Sequence, residues 1–206
     1  MNYRSRILSV IDRQLPSPDV LYTARGQTGD FGDAGPTDMP EKPLTLAAVL
    51  VPVVEYDPEP KILLTRRADH LAKHSGQVAF PGGKVEAQDD TPVATALRET
   101  HEEVGLDPTH VEIAGFLDTY ETGTGFRVLP VVGFVRPGFT LQPDENEVAE
   151  VFEVPVSLLF NHENYQAHDI VWEGRQRQYY SMDYQGFNIW GATAGMLHHF
   201  GRRMAK

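Results

Sequence analysis

The chain has 206 residues, of which 41% are apolar and 23% charged, an ordinary globular balance. Lys and Arg number 18 against 29 Asp and Glu, so the formal charge is −11, which argues against a general nucleic-acid or acidic-membrane binder. There are no cysteines, which excludes disulfide frameworks, thiolate metal sites and cysteine nucleophiles.

The length fits one domain, or one domain with an appendage. The longest apolar run, Leu46 to Val54, has 9 residues, and a membrane span needs about 18. The first residues, Met-Asn-Tyr-Arg-Ser-Arg, lack the apolar stretch of a signal peptide. A cytoplasmic protein is expected.

Residues 6–15 place Ile7, Val10, Ile11 and Leu15 at helical spacing. Residues 24–43 hold four glycines, three prolines and four acidic residues, the composition of a mobile loop. The main domain is placed at 44–206, with 1–43 as an N-terminal helix and loop. Strands are predicted over 44–54, 61–67 and 77–80, then a helix over about 91–104. Two strands at 111–119 and 126–135 follow, linked by a loop containing Gly123 and Gly125. Residues 147–154 mix acidic and apolar character, and 157–160 suggest a short helix. A hairpin around Glu173-Gly174 is expected within 170–184, and a terminal helix over 190–200. Strands and helices mix without regular βαβ alternation, which favours an α/β fold with a mixed sheet covered by helices over a Rossmann arrangement.

The chemistry lies in Gly82 to Leu106, GGKVEAQDDTPVATALRETHEEVGL. Asp90 or Thr91 can cap its helix, Pro92 suits the first helical position and Gly105 the left-handed stop. At about 100° per residue, with Glu99 at zero, Glu103 falls at about 40° and Glu102 at about −60°. Val93, Val104 and Leu97 fall between about 120° and 160°, so the expectation is an apolar stripe on the core and a glutamate band roughly opposite. Like charges at i,i+3 and i,i+4 repel. A hard, oxygen-loving dication such as Mg²⁺ or Mn²⁺ relieves that repulsion. The preceding Phe80-Pro81-Gly82-Gly83 turn allows close backbone approach, and the Gly83 carbonyl could add an oxygen ligand.

This segment resembles the Nudix box: Gly, five residues, Glu, seven residues, Arg-Glu, an aliphatic residue, any residue, Glu-Glu, any residue, Gly, an aliphatic residue. Here Gly83 is followed by five residues and Asp89, and eight residues later comes Arg98-Glu99-Thr100-His101-Glu102-Glu103-Val104-Gly105-Leu106. The Asp and the one-residue extension resemble the coenzyme A pyrophosphatase subfamily of Nudix hydrolases, while Thr100 replaces an aliphatic residue. Upstream, Leu63-Leu64-Thr65-Arg66-Arg67-Ala68 leading to Gly76-Gln77-Val78-Ala79-Phe80-Pro81-Gly82-Gly83 is similar to that subfamily's second signature, with Ala68 where Ser and Ala72 where Arg is usual. Trp190-Gly191-Ala192-Thr193-Ala194 resembles it too.

The resemblance implies an α/β/α sandwich with a mixed sheet. It also implies metal-dependent cleavage of the pyrophosphate of coenzyme A or its thioesters, giving 3′,5′-ADP and 4′-phosphopantetheine or its acylated form. The alternatives are a Nudix pyrophosphatase for ADP-ribose, NADH or a nucleotide sugar, and a non-catalytic nucleotide sensor. The expected metal ligands are Glu99, Glu103, Glu102 and the Gly83 carbonyl, with Arg98 orienting a box carboxylate and Asp89 as its partner. The general base is sought among Glu145, Glu147 and Glu150, with Glu147 ranked first. Arg67 and Lys73 are candidate substrate contacts; strand alternation sets Arg66 on the other face. Trp190 reads as core rather than as a base-stacking platform. The partner is a small nucleotide, with neither nucleic acid nor membrane.

Overall fold

The computed structural model describes residues 2–22, 28–30, 43–71, 74–172 and 174–205. Lys73, Ala72 and most of the 24–43 loop lie outside the described residues.

The N-terminal helix α1 spans Tyr3–Leu8, capped by the Asn2 side chain, which accepts from the Ser5 amide at 2.8 Å. It stops short of the expected residue 15. Asp12 spends its amide and carbonyl on Phe116, at 2.9 and 2.8 Å, so the chain leaves helical geometry to extend the sheet. Ile7 and Ile11 are buried, whereas Leu15 is exposed. A short helix that the sequence reading did not include, α2, covers Pro18–Tyr22 and buries Leu21. Within the segment read as loop, β1 (Thr28–Gly29) pairs in parallel with β7 (Tyr120–Glu121).

The core is a nine-stranded mixed sheet. β2 (Thr45–Val54) lies at its centre and runs parallel to β8 (Phe126–Val135) over its whole length. Both strands are covered on both faces, which is why they read as continuous apolar runs. β3 (Lys61–Arg67) pairs antiparallel with β2, with β4 (Val78–Ala79) and with β9 (Val148–Pro155). β5 (Gly82–Lys84) pairs with β2, and β6 (Val111–Phe116) with β8. β6 ends at Phe116 rather than residue 119, and β7 is a separate strand.

Helix α3 (Pro92–Val104) covers one face, where Ala96 and Val104 join Ala48, Leu50 and Leu63. Helix α4 (Ala192–Met204) covers the other, where Met196, Leu197 and Phe200 join Val51, Val132 and Phe134. The result is the expected α/β/α sandwich. A second sheet, β10 (Gln166–Trp172), β11 (Arg175–Tyr184) and β12 (Phe187–Trp190), packs on α4. The expected hairpin is its first pair; β12 falls where the sequence reading put no strand. No helix among the described residues is long and apolar enough to cross a membrane.

Candidate active site

Helix α3 begins and ends where local chemistry dictates. Thr91 accepts from the Ala94 amide at 3.1 Å, Pro92 follows, and Gly105 stops the helix at φ 70°. Its orientation corrects the wheel argument. Thr95, Ala96, Thr100, Glu103 and Val104 are buried, while Val93 and Leu97 are only partly so. The buried face is centred between Glu103 and Val104, so the glutamates straddle its edge instead of standing opposite. The three carboxylates consequently differ: the side chain of Glu102 is 57% exposed, Glu99 19% and Glu103 6%.

Two glycines let the β5 turn close on this helix. Gly82 has φ 150°, and a Cβ there would lie 2.5 Å from the Ala48 carbonyl. Its amide donates to Glu103 Oε2 at 3.1 Å. A Cβ on Gly83 would lie 2.5 Å from the Glu99 carboxyl carbon. Any other residue at 83 would occupy the space of that carboxylate.

Arg98 organises the opposite end of the box. Its Nε and Nη2 each donate to the Asp89 carboxylate at 2.9 Å, a bidentate pair, and Asp89 also accepts from Thr95 Oγ1 and the Glu86 amide. The Arg98 guanidinium holds Asp89 well below the usual carboxylate range. Nη1 of Arg98 pairs with Glu99 at 3.0 Å and Glu102 at 2.8 Å. Thr95 is a member of this cluster for which the wheel argument held no role.

Burial pushes Glu103 up to about 8, reinforced by the charges of Glu147 and Glu99 and opposed by the Gly82 amide and Arg67. Burial raises Glu99 as well, against the pull of Arg98 and with a further push from Glu102 and Glu147. Glu147, on the turn before β9, is near enough for its charge to act on both Glu99 and Glu103. Its carbonyl accepts from the Ala68 amide at 2.9 Å, which ties that turn to the end of β3. Ala68 is itself buried, so the departure there concerns packing.

The other candidates are dispersed. Glu145 is exposed, and Glu150 pairs with Arg66 at 3.8 Å. Arg66 also pairs with Asp69 at 2.8 Å. Arg67 stands on the other face of β3 from Arg66, beyond a register shift between the two, and its Nη1 lies 3.9 Å from Glu103. Trp190 is 42% exposed and not core, which corrects that expectation: it alternates with buried Ile189 along β12 and takes the outer face.

The donor set fits a hard dication. It is all oxygen, one carboxylate is buried, and burial, reinforced by mutual repulsion, raises the proton affinity of two members. Among the described residues no three acidic or histidine side chains converge closely enough to hold an ion as they stand, and Arg98 engages oxygens of both Glu99 and Glu102.

The NUDIX domain model matches residues 45–172. Two relatives named Uncharacterized Nudix hydrolase NudL are similar over 151 residues, 73% of this chain and 78% of theirs: that of Enterobacter sp. (strain 638) at 46% identity and that of Salmonella paratyphi B at 44%. The crystal structure of the MutT protein from Methanosarcina mazei Go1 has a TM-score of 0.46 at 25% identity, covering 59% of this chain and 84% of that one. With the domain match spanning more than half its length around the α3 carboxylates, the chain belongs to the Nudix family and is a pyrophosphohydrolase.

Proposed function

We propose that the protein hydrolyses the pyrophosphate of coenzyme A or its thioesters, releasing 3′,5′-ADP and (acyl-)4′-phosphopantetheine, with Mg²⁺ or Mn²⁺ as cofactor. The observation that carries this reading is the Asp89–Arg98 pair. Asp is one methylene shorter than the Glu of the common box, and this box is one residue longer. The shorter carboxylate grips Arg98 with two bonds. That joint departure resembles the coenzyme A subfamily, as does the β3–β5 segment, which is bonded through Ala68 to the turn bearing Glu147.

In this reading Glu99, Glu103, Glu102 and the Gly83 carbonyl hold the ion. When bound, it neutralises phosphoryl oxygens and acidifies water. Asp89 and Arg98 hold the helix carboxylates in register. Glu147, exposed and within reach of the charges of Glu99 and Glu103, accepts the proton of the attacking water. The water oxygen bonds to phosphorus, the bridging anhydride bond breaks, and its electron pair leaves on the departing phosphate. Arg67, beside Glu103, is placed to contact a substrate phosphate, and Lys73 is kept as a second cation. Residues 44–206 form the hydrolase domain, 1–43 its N-terminal helix and loop, and the location is cytoplasmic.

The test is a hydrolysis panel with Mg²⁺ or Mn²⁺: coenzyme A, acetyl coenzyme A, dephospho-coenzyme A, ADP-ribose, NADH and diadenosine tetraphosphate. Fast coenzyme A cleavage that Glu103→Gln abolishes, with dephospho-coenzyme A slower, is expected. Equal or faster turnover of ADP-ribose or NADH would refute the coenzyme A assignment. Unchanged ligand binding in the Gln variant, with no turnover in either protein, would indicate a sensor.

A further inference from the structure

Two threonines are buried inside α3, and they spend their hydroxyls differently. Thr100 donates to the Ala96 carbonyl at 2.6 Å, four residues back, the ordinary outlet for a hydroxyl within a helix. Thr95 is fully buried too, yet its hydroxyl leaves the helix and donates to Asp89 Oδ2 at 2.9 Å.

The Asp89 side chain is only 3% exposed, and four donors converge on it. Oδ1 accepts from Arg98 Nε at 2.9 Å. Oδ2 accepts from Arg98 Nη2 and Thr95 Oγ1, both at 2.9 Å, and from the Glu86 amide at 3.0 Å. Thr95, Arg98, Glu99 and Glu102 stand at i, i+3, i+4 and i+7, so they share one stripe of the helix. Thr95 therefore grips the carboxylate from the same side as Arg98. Together with the Glu86 amide it fixes the carboxylate plane in which both guanidinium bonds form.

The effect reaches the helix carboxylates. Nη1 of Arg98 lies 3.0 Å from Glu99 and 2.8 Å from Glu102. A hard dication needs those same oxygens, so it competes with the guanidinium for them. Arg98 yields them when its charge is held elsewhere, and Asp89 is what holds it. A carboxylate free to turn would lose one arm of the fork and leave Arg98 to lean on the two glutamates.

We propose that Thr95 is a positioning residue for the dication: by fixing Asp89 it anchors Arg98 and keeps the oxygens of Glu99 and Glu102 available to the ion. This rests on the reading of the α3 carboxylates as the metal ligands.

The test is Mn²⁺ affinity by titration calorimetry, without substrate. Thr95→Val keeps the shape and removes the hydroxyl, Thr95→Ser keeps the hydroxyl, and Thr100→Val removes a buried hydroxyl bonded only within the helix. Thr95→Val should bind Mn²⁺ about tenfold more weakly, the scale of loss for an outer partner of a metal ligand, while Thr95→Ser and Thr100→Val stay near the parent. In hydrolysis, the Mn²⁺ concentration for half-maximal rate should follow the same order. Should Thr95→Val fail to fold, Thr95→Ala, a better helix former, replaces it in the comparison with Thr95→Ser. Parental Mn²⁺ affinity in the folded Val or Ala variant, or an equal loss in Thr100→Val, overturns the proposal. Glu103→Gln separates the two levels. Affinity lost there but kept in Thr95→Val strikes the role of Thr95 alone; affinity unmoved by Glu103→Gln removes the metal-site reading and the proposal with it.

Discussion

Burial lifts the Glu103 carboxyl from its ordinary 4.5 to about 8, so the folded chain binds its proton more tightly than the unfolded chain does. Between those two values the folded state keeps a proton that the unfolded state has released. The stability of the metal-free protein therefore falls as pH rises through that window, by up to about 1.4 kcal/mol per pH unit, and is fully retained below it. Glu103→Gln cannot titrate. Its urea midpoint should decline less steeply from pH 5 to pH 8 than that of the parent, and equal slopes would contradict the burial argument. Mn²⁺ added at pH 8 should raise the parent's midpoint more than the variant's, because an ion bound only to the folded state stabilises by mass action. The acidic pattern of the box was readable from residue spacing alone. What spacing could not supply was the inequality among its members, because burial depends on where β5 lies against α3.

Elements meet most closely where they lack side chains. On α4, a Cβ at Gly201 would lie 2.0 Å from the Leu159 carbonyl, and backbone cannot swing aside as a side chain can. Gly201→Ala gains about 1 kcal/mol of helix propensity, yet overpacking of this kind costs about 1–3 kcal/mol. The closeness of the contact puts the balance on the losing side. A Tm lowered by about 2–6 °C in calorimetry is expected; an unchanged or raised Tm would show that α4 can move away freely. Elements with local signals were legible: Thr91, Pro92 and Gly105 mark α3 to within a residue, and β2, β3 and β8 follow from their apolar runs. Strands such as β1 and β5 carry no such signal. Two and three residues long, they exist because a partner distant in sequence offers its edge, whereas β12 follows β11 directly through the two-residue Gln185-Gly186 turn.

At the scale of the molecule, the N-terminal segment is held by polar contacts as well as by Ile7, Ile11 and Leu21. Arg127 and Glu121 form a buried ion pair at 2.6 Å, and Arg127 also donates to the Val20 carbonyl of α2 at 3.3 Å. Removing one partner strands a buried charge, so Arg127→Met should cost about 3–5 kcal/mol in denaturant unfolding. The double variant Arg127→Met, Glu121→Leu should recover part of that loss; additive losses would mean the two groups act independently. By itself the sequence determined the layered α/β class, the limits of α3 and the identity of the box carboxylates, because caps, runs of apolar residues and residue spacing are local properties written along the chain. The depth of Glu103, its closeness to Arg67 and the outward face of Trp190 were decided only by the tertiary structure. Each depends on which distant strand or helix comes to lie beside the residue, and burial, register and charge proximity are properties of that meeting.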